Sequence, residues 1–303
     1  MYNMLWLLFL LLILVVLGRA YRNTFHPTLN RIEIPLQQAE RLGTYEIPPV
    51  RILHLSDLHM ENISITPERI VDELAGETID ILAITGDFLD RERNIPRAIA
   101  YVEKLQKCNP TIGTYVVFGN HDYVLAPNKL AQLKLGLERI GCVCLFNETA
   151  TVSLGLTKLH IIGIDDYHTR RSNVEKAFKD VPDEGVRLIL THDPTVVLNM
   201  KDYDFDYLLA GHFHGGQIHW PKPYHLMRMG KLARMNIVKG LHYHENRPFY
   251  ISEGLGQTGV NIRLRSRPEI TLHTMGNTHE QETQATRLQQ LMMQESAPSL
   301  AHE

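Results

Sequence analysis

Five short apolar runs in this chain are each followed at once by residue types that bind divalent metals. After ILHLS stand Asp57, Leu58 and His59. After ILAIT stand Gly86, Asp87, Phe88, Leu89 and Asp90, and after YVVF stand Gly119, Asn120, His121 and Asp122. After RLILT stand His192 and Asp193, and after YLLA stand Gly211, His212, Phe213, His214, Gly215 and Gly216. Runs this short, rich in Ile, Leu and Val and bounded by Gly or Asp, predict buried strands. In α/β sheets, ligands bind in the crevice beyond the carboxyl ends of the strands. Five such ends can therefore aim their loops at one place, with the glycines letting the backbone turn sharply beside the ligands.

One DxH or one HxH would mean little alone; five strand ends in order, all of the right chemistry, mean a centre. Other histidines among the 16 are read differently. His54 and His160 fall inside strand patterns and are expected in the core or at a sheet edge. His242-Tyr243-His244 has no apolar strand before it and is assigned to a surface loop. His168 and His225 stay undecided. Carboxylate, imidazole and amide donors together suit two divalent ions about 3.5–4 Å apart that share a water, lower its pKa and clamp phosphoryl oxygens. The absence of thiolate from this set admits Mn, Fe, Zn, Co or Ni.

Helical patterns near residues 66–76, 95–107 and 127–140 alternate with the strands, with Pro67 and Pro127 near helix starts, where Pro is tolerated. The residues alone thus predict an α/β architecture with a mixed sheet or paired sheets. A net charge of −3 gives no reason to expect nucleic acid as a partner. Cys108, Cys142 and Cys144 form no framework, so no structural disulfide is expected and a reducing compartment is the simpler reading.

Residues 1–18, MYNMLWLLFLLLILVVLG, carry no charge. As a helix they span about 27 Å, close to the thickness of a bilayer core. No Lys or Arg precedes the run and LGRAY is a poor cleavage site, so a signal peptide fits less well than an uncleaved single-pass anchor in the cell membrane. Arg19 and Arg22 directly follow it and favour a cytoplasmic catalytic domain. Residues 19–48 read as a linker leading into a first strand or two. Residues 49–274 read as the catalytic domain, with further strands from 245. The polar tail 275–303 is expected to be flexible.

The pattern DxH, GDxxD, GNHD, H, GHxH, from Asp57 to His214, resembles the calcineurin-like metallophosphoesterase superfamily. The resemblance implies a sandwich of two mixed β-sheets flanked by helices. It implies that one metal takes Asp57, His59, Asp87 and His214 and the other Asp87, Asn120, His192 and His212, with Asp87 bridging. It further implies attack by a hydroxide held between the metals, His121 as general acid at the leaving oxygen, and Asp90 behind His121. Manganese is the default metal by analogy. Purple acid phosphatases of the superfamily have a Tyr ligand three residues after the bridging Asp; here that residue is Asp90, so a redox-active iron–tyrosinate pair is not expected.

The runs Gly211–Gln217, Gly254-Leu255-Gly256, Arg263 and Arg265–Ile270 are similar to membrane-associated phosphoesterases of the bacterial YkuE and YaeI type. That clade includes a UDP-2,3-diacylglucosamine pyrophosphatase. A lipid-linked phosphodiester or pyrophosphate substrate is therefore expected, with a soluble phosphate ester or nucleotide as the alternative and an inactive metal-binding scaffold as a remote third. Arg263 is a candidate for a phosphate contact. The basic and apolar stretch 220–240 is a candidate for receiving a lipid phosphate at the membrane surface. Oligomeric state stays open.

Overall fold

A computed structural model of the chain describes residues 2–36, 47–219 and 229–276. Helix α1 (Tyr2–Asn23) is followed by β1 (Thr28–Ile34), β2 (Val50–Leu55), α2 (Pro67–Glu73), β3 (Ile81–Thr85), α3 (Ile95–Leu105), β4 (Gly113–Val117), α4 (Pro127–Arg139) and β5 (Cys142–Cys144). The second half runs β6 (Glu148–Leu154), β7 (Thr157–Gly163), α5 (Val174–Phe178), β8 (Val186–Leu190), β9 (Tyr207–Ala210), α6 (Lys231–Arg234), β10 (Gly240–His244), β11 (Arg247–Ile251) and β12 (Glu269–Met275).

The strands form two mixed sheets, ordered β1-β12-β2-β3-β4-β5 and β10-β11-β9-β8-β7-β6. Side-chain alternation along each strand sorts the core. From the first sheet, Ile52, Ile81, Ala83 and Val117 meet Leu159, Ile161, Leu188 and Leu209 of the second, between the sheets. The opposite parity, Leu53, Leu55, Leu82 and Ile84, packs under α2, α3 and α4. On the far side of the second sheet, Ile162, Ile189 and Leu208 pack with Ala177 and Leu232 from α5 and α6. The result is helices, two sheets, helices.

β2, β3 and β4 are mutually parallel, as are β8 and β9. Their carboxyl ends meet across the sheets: the His212 N–H donates to the Asp57 carboxylate (3.1 Å), and the Gly256 N–H donates to the Asp57 carbonyl (2.7 Å). A Cβ on Gly211 would collide with the Ser56 hydroxyl and the Asp57 carboxylate. That is the physical reason for glycine at this crossing.

Two expectations change. The segment 19–48 is not simply a linker: it holds the end of α1 and all of β1, which pairs in parallel with β12, Thr28 opposite Glu269. Alternation in TLNRIEI supplies the strand pattern, but its partner lies some 240 residues away. Residues 37–46 of that segment are outside the described residues, as are 277–303 of the tail. His242-Tyr243-His244 lies not in a loop but in the edge strand β10, antiparallel to β11. His54 and His160 are buried in strands, as expected.

Candidate metal centre

The strand-end residues converge. Asp57, His59 and His214 place one ligand atom each within 4.8 Å of one another, and so do Asp87, His192 and His212. The two groups touch: Asp87 Oδ2 lies 3.0 Å from His192 Nε2 and 3.5 Å from His59 Nε2. Asp87 thus stands between the two clusters. Asp57 Oδ1 lies 3.3 Å from His214 Nε2 and 4.0 Å from His192 Nε2.

Neighbouring backbone fixes each ring. His192 Nδ1 donates to the Thr85 carbonyl (2.7 Å) and His214 Nδ1 to the Gly256 carbonyl (3.2 Å), so both present Nε2 to the centre. Asn120 follows Gly119 and precedes His121, whose N–H donates to Asp87 Oδ1 at 2.8 Å. The chain holds five of these residues, Asp57, His59, Asp87, His212 and His214, at φ between 39° and 77°. Such left-handed backbone costs a non-glycine residue roughly 1–3 kcal/mol, and its clustering here marks a site that the surrounding fold over-determines.

Two divalent cations fit these residues. His59 Nε2 and Asn120 Oδ1 are buried and have no hydrogen-bond partner, although each belongs to the expected ligand set. Buried polar atoms without partners are costly, and a cation would satisfy both. Oxygen and imidazole donors are also the right chemistry for such ions. Burial disfavours the charged ring of His59, but the Asp87 carboxylate 3.5 Å from Nε2 and the bond to Asp90 at Nδ1 outweigh it and push its pKa up to about 10. His192 is likewise raised, with burial opposed by the Asp87 charge. Cation binding must displace these protons. Affinity is therefore expected to weaken as pH falls, with roughly one or more protons released per ion; calorimetry in buffers of different ionisation enthalpy measures the number.

Beside the clusters, His121 Nδ1 lies 2.8 Å from Asp90 Oδ1 and remains partly exposed, leaving Nε2 for the cleft. Asp90 does more than expected, since the same Oδ1 lies 3.0 Å from His59 Nδ1. Burial would raise the Asp90 pKa, but the hydrogen bonds with His121 and His59 hold it well below the carboxylate range. Asp90 is in turn fixed by Glu61, which accepts the N–H groups of Asp90 (3.0 Å) and Arg91 (2.9 Å).

Asp122 has a part that the sequence motif contained without explaining. Its carboxylate accepts the N–H groups of Phe88 (2.8 Å) and Gly119 (2.9 Å), pinning the loops after β3 and β4 together. Burial, with the nearby Asp87 charge, pushes its pKa up to about 7.

Arg263 does not join the cleft. It is fully buried, and its guanidinium donates to the carbonyls of Glu253 (2.7 Å), Gly254 (3.0 Å), Gly256 (2.6 Å) and Arg267 (3.0 Å). Its two terminal nitrogens are engaged by the loop behind His214 and its Nε is buried, so no donor of this side chain faces the cleft to meet a phosphate. Arg263→Met should leave several buried carbonyls unpaired and cost on the order of 3 kcal/mol, read from the urea midpoint. In the stretch 220–240, residues 220–228 are outside the described residues. Of the rest, Leu232 and Val238 are buried and do not face a lipid surface, Lys239 pairs with Glu253 at 2.8 Å, and Lys231, Arg234 and Met235 are exposed.

Comparison with known proteins agrees with this geometry. Residues 50–216 match the family model described as calcineurin-like phosphoesterase. The chain is 52% identical over 273 residues to the uncharacterized metallophosphoesterase YkoQ of Bacillus subtilis, covering 90% of this chain and 99% of YkoQ. It is 28% identical to the phosphodiesterase YaeI of Escherichia coli, covering 74% of this chain and 81% of YaeI. It is 25% identical to the UDP-2,3-diacylglucosamine pyrophosphatase LpxG of Chlamydia trachomatis, covering 85% of this chain and 92% of LpxG.

Proposed function

The chain belongs to the calcineurin-like phosphoesterase family and is a metal-dependent phosphoester hydrolase, and on that premise we propose that it is anchored in a membrane and cleaves a phosphodiester or pyrophosphate bond in a lipid-linked substrate. We assign one cation to Asp57, His59, Asp87 and His214 and the other to Asp87, Asn120, His192 and His212. Manganese is our first choice of metal. Bound there, the cations would supply the Lewis acidity that makes water a nucleophile near neutral pH and offsets phosphoryl charge. His121 gives a proton from Nε2 to the leaving oxygen, while Asp90 fixes its ring at Nδ1 and Glu61 fixes Asp90.

The observation that carries the membrane reading is α1. Residues Asn3–Asn23 are long and apolar enough to span a bilayer, and every side chain from Met4 to Leu17 is exposed. A contiguous apolar surface of that size is not stable in water. A buried core helix is the obvious rival, and this exposure speaks against it. Arg19 and Arg22 favour a cytoplasmic catalytic domain. The lipid substrate draws support from the likeness to LpxG, whose name gives a diacylated substrate.

Two measurements test the proposal. The purified chain should hydrolyse an aryl phosphodiester when manganese is added; no turnover with metals bound would favour the scaffold reading. Mass spectrometry of cells lacking the protein should show a phosphorylated or pyrophosphorylated lipid accumulating. Accumulation of a soluble phosphate ester instead, with membrane lipids unchanged, would replace the lipid substrate by a soluble one.

A further inference from the structure

A cavity of about 510 Å³ opens on the His192–His212 side of the centre. It is walled by the turn after β7, by the segment after β8 and by Met229 and Gly230. His168 joins it to the centre: its ring lies 5.2 Å from that of His212, centroid to centroid. Neither the proposed metal ligands nor His121 lines this space.

Its lining is polar and only partly self-satisfied. Thr195 is buried, and its hydroxyl has no hydrogen-bond partner. Its backbone N–H is held by Asp193 Oδ1 at 2.8 Å, so the residue is fixed in place. A buried hydroxyl without a partner is costly, and a small shift of the wall beside Gly230 would let a ligand atom satisfy it. Ser172 and the Asp193 carboxylate share the wall. Arg170 sits at the rim, exposed, and among the described residues its guanidinium is in no ion pair. Hydroxyl and carboxylate groups recognise hydroxyls, while a guanidinium recognises phosphate. The apolar part of the lining comes mainly from Tyr167 and Met229, and polar surface outweighs it.

We propose that this cavity binds a hydroxylated, phosphate-bearing head group of the substrate, of the sugar-phosphate class, beyond the phosphorus that is attacked. Thr195, Ser172 and Asp193 take its hydroxyls and Arg170 takes its additional phosphate. This rests on the phosphoesterase reading and names the polar portion of its substrate. Opposite polarity is thereby required of the two substrate ends: a hydrophilic group in this cavity and an apolar one left to the bilayer.

The test uses the full-length chain in nanodiscs, with glucose 1-phosphate and n-hexyl phosphate as probes, titrated calorimetrically with manganese present and again after chelation. Glucose 1-phosphate should bind at least about tenfold tighter than hexyl phosphate, the preference that hydrogen-bonded hydroxyls confer. Arg170→Ala should weaken glucose 1-phosphate binding by about tenfold, and Thr195→Val should erode the preference over hexyl phosphate. Thr195→Ser should restore it. Equal binding of the two probes to the parent chain overturns the proposal, as does a preference untouched by both variants. Turnover of an aryl phosphodiester in the same preparation reports separately on the phosphoesterase reading. If that turnover were absent, the titration of the chelated protein would still decide whether the cavity takes the sugar phosphate.

Discussion

Replacing Asp87 by Ala is expected to abolish hydrolysis and to lower metal content from two ions per chain towards one or none. Asp87 stands within 3.0 Å of His192 Nε2 and 3.5 Å of His59 Nε2, one nitrogen from each cluster. Its removal strips both sites of the carboxylate they share and leaves Asp57 and Asp90 as the remaining acidic groups beside the imidazoles. Loss of one preorganised stabilising group costs about 10²–10³ in rate; loss of a shared one should exceed about 10³. The Asp87 Oδ1 hydrogen bond to the His121 N–H also goes, so the proton donor shifts as well. Metal analysis of the folded variant, beside its rate, checks the expectation. Two bound ions and a parental rate would remove Asp87 from the bridging position.

His121→Ala should behave differently. The ring is not in either of the two ligand clusters that carry the metal assignment, so both ions should remain, while turnover falls by roughly 10²–10⁴. The loss should depend on the leaving group. A substrate with an activated aryl leaving group needs little protonation and should suffer least, whereas an alkyl ester should suffer most. A uniform loss across leaving groups would mean that His121 only shapes the site. His121 is raised in pKa: burial opposes the charged form, but the hydrogen bond to Asp90 outweighs it. The donor form thus persists to higher pH than for a free imidazole, and activity controlled by it should fall on the alkaline side.

How much of this was legible follows from the range of each signal. Asp57, Asp87, Asn120, His192 and His212 each stand within three residues of the end of an apolar run, so strand and ligand are read in one short window. The three helical patterns were found to within a few residues for the same reason. What was not legible depends on contacts between distant segments. Asp90 was expected to serve His121 alone; its second bond, to His59, joins residues 31 apart. Arg263 carries the charge that phosphate recognition wants, but its burial is decided by the way the single loop 253–256 folds its carbonyls onto the guanidinium, which no pattern in the residues announces. The pairing of β1 with β12 likewise arises from a distant partner that local alternation does not name, whereas β10 forms a hairpin with β11 across Glu245 and Asn246.

The seam between the sheets has one more implication. Each ion's proposed ligands come from both layers: Asp57, His59 and Asp87 follow strands of the first sheet, and His192, His212 and His214 follow strands of the second. A loaded centre would work as a rivet through the two halves of the sandwich. Prising them apart would mean breaking coordination bonds as well as exposing apolar surface, so the loaded protein should resist proteases far longer than its chelated form.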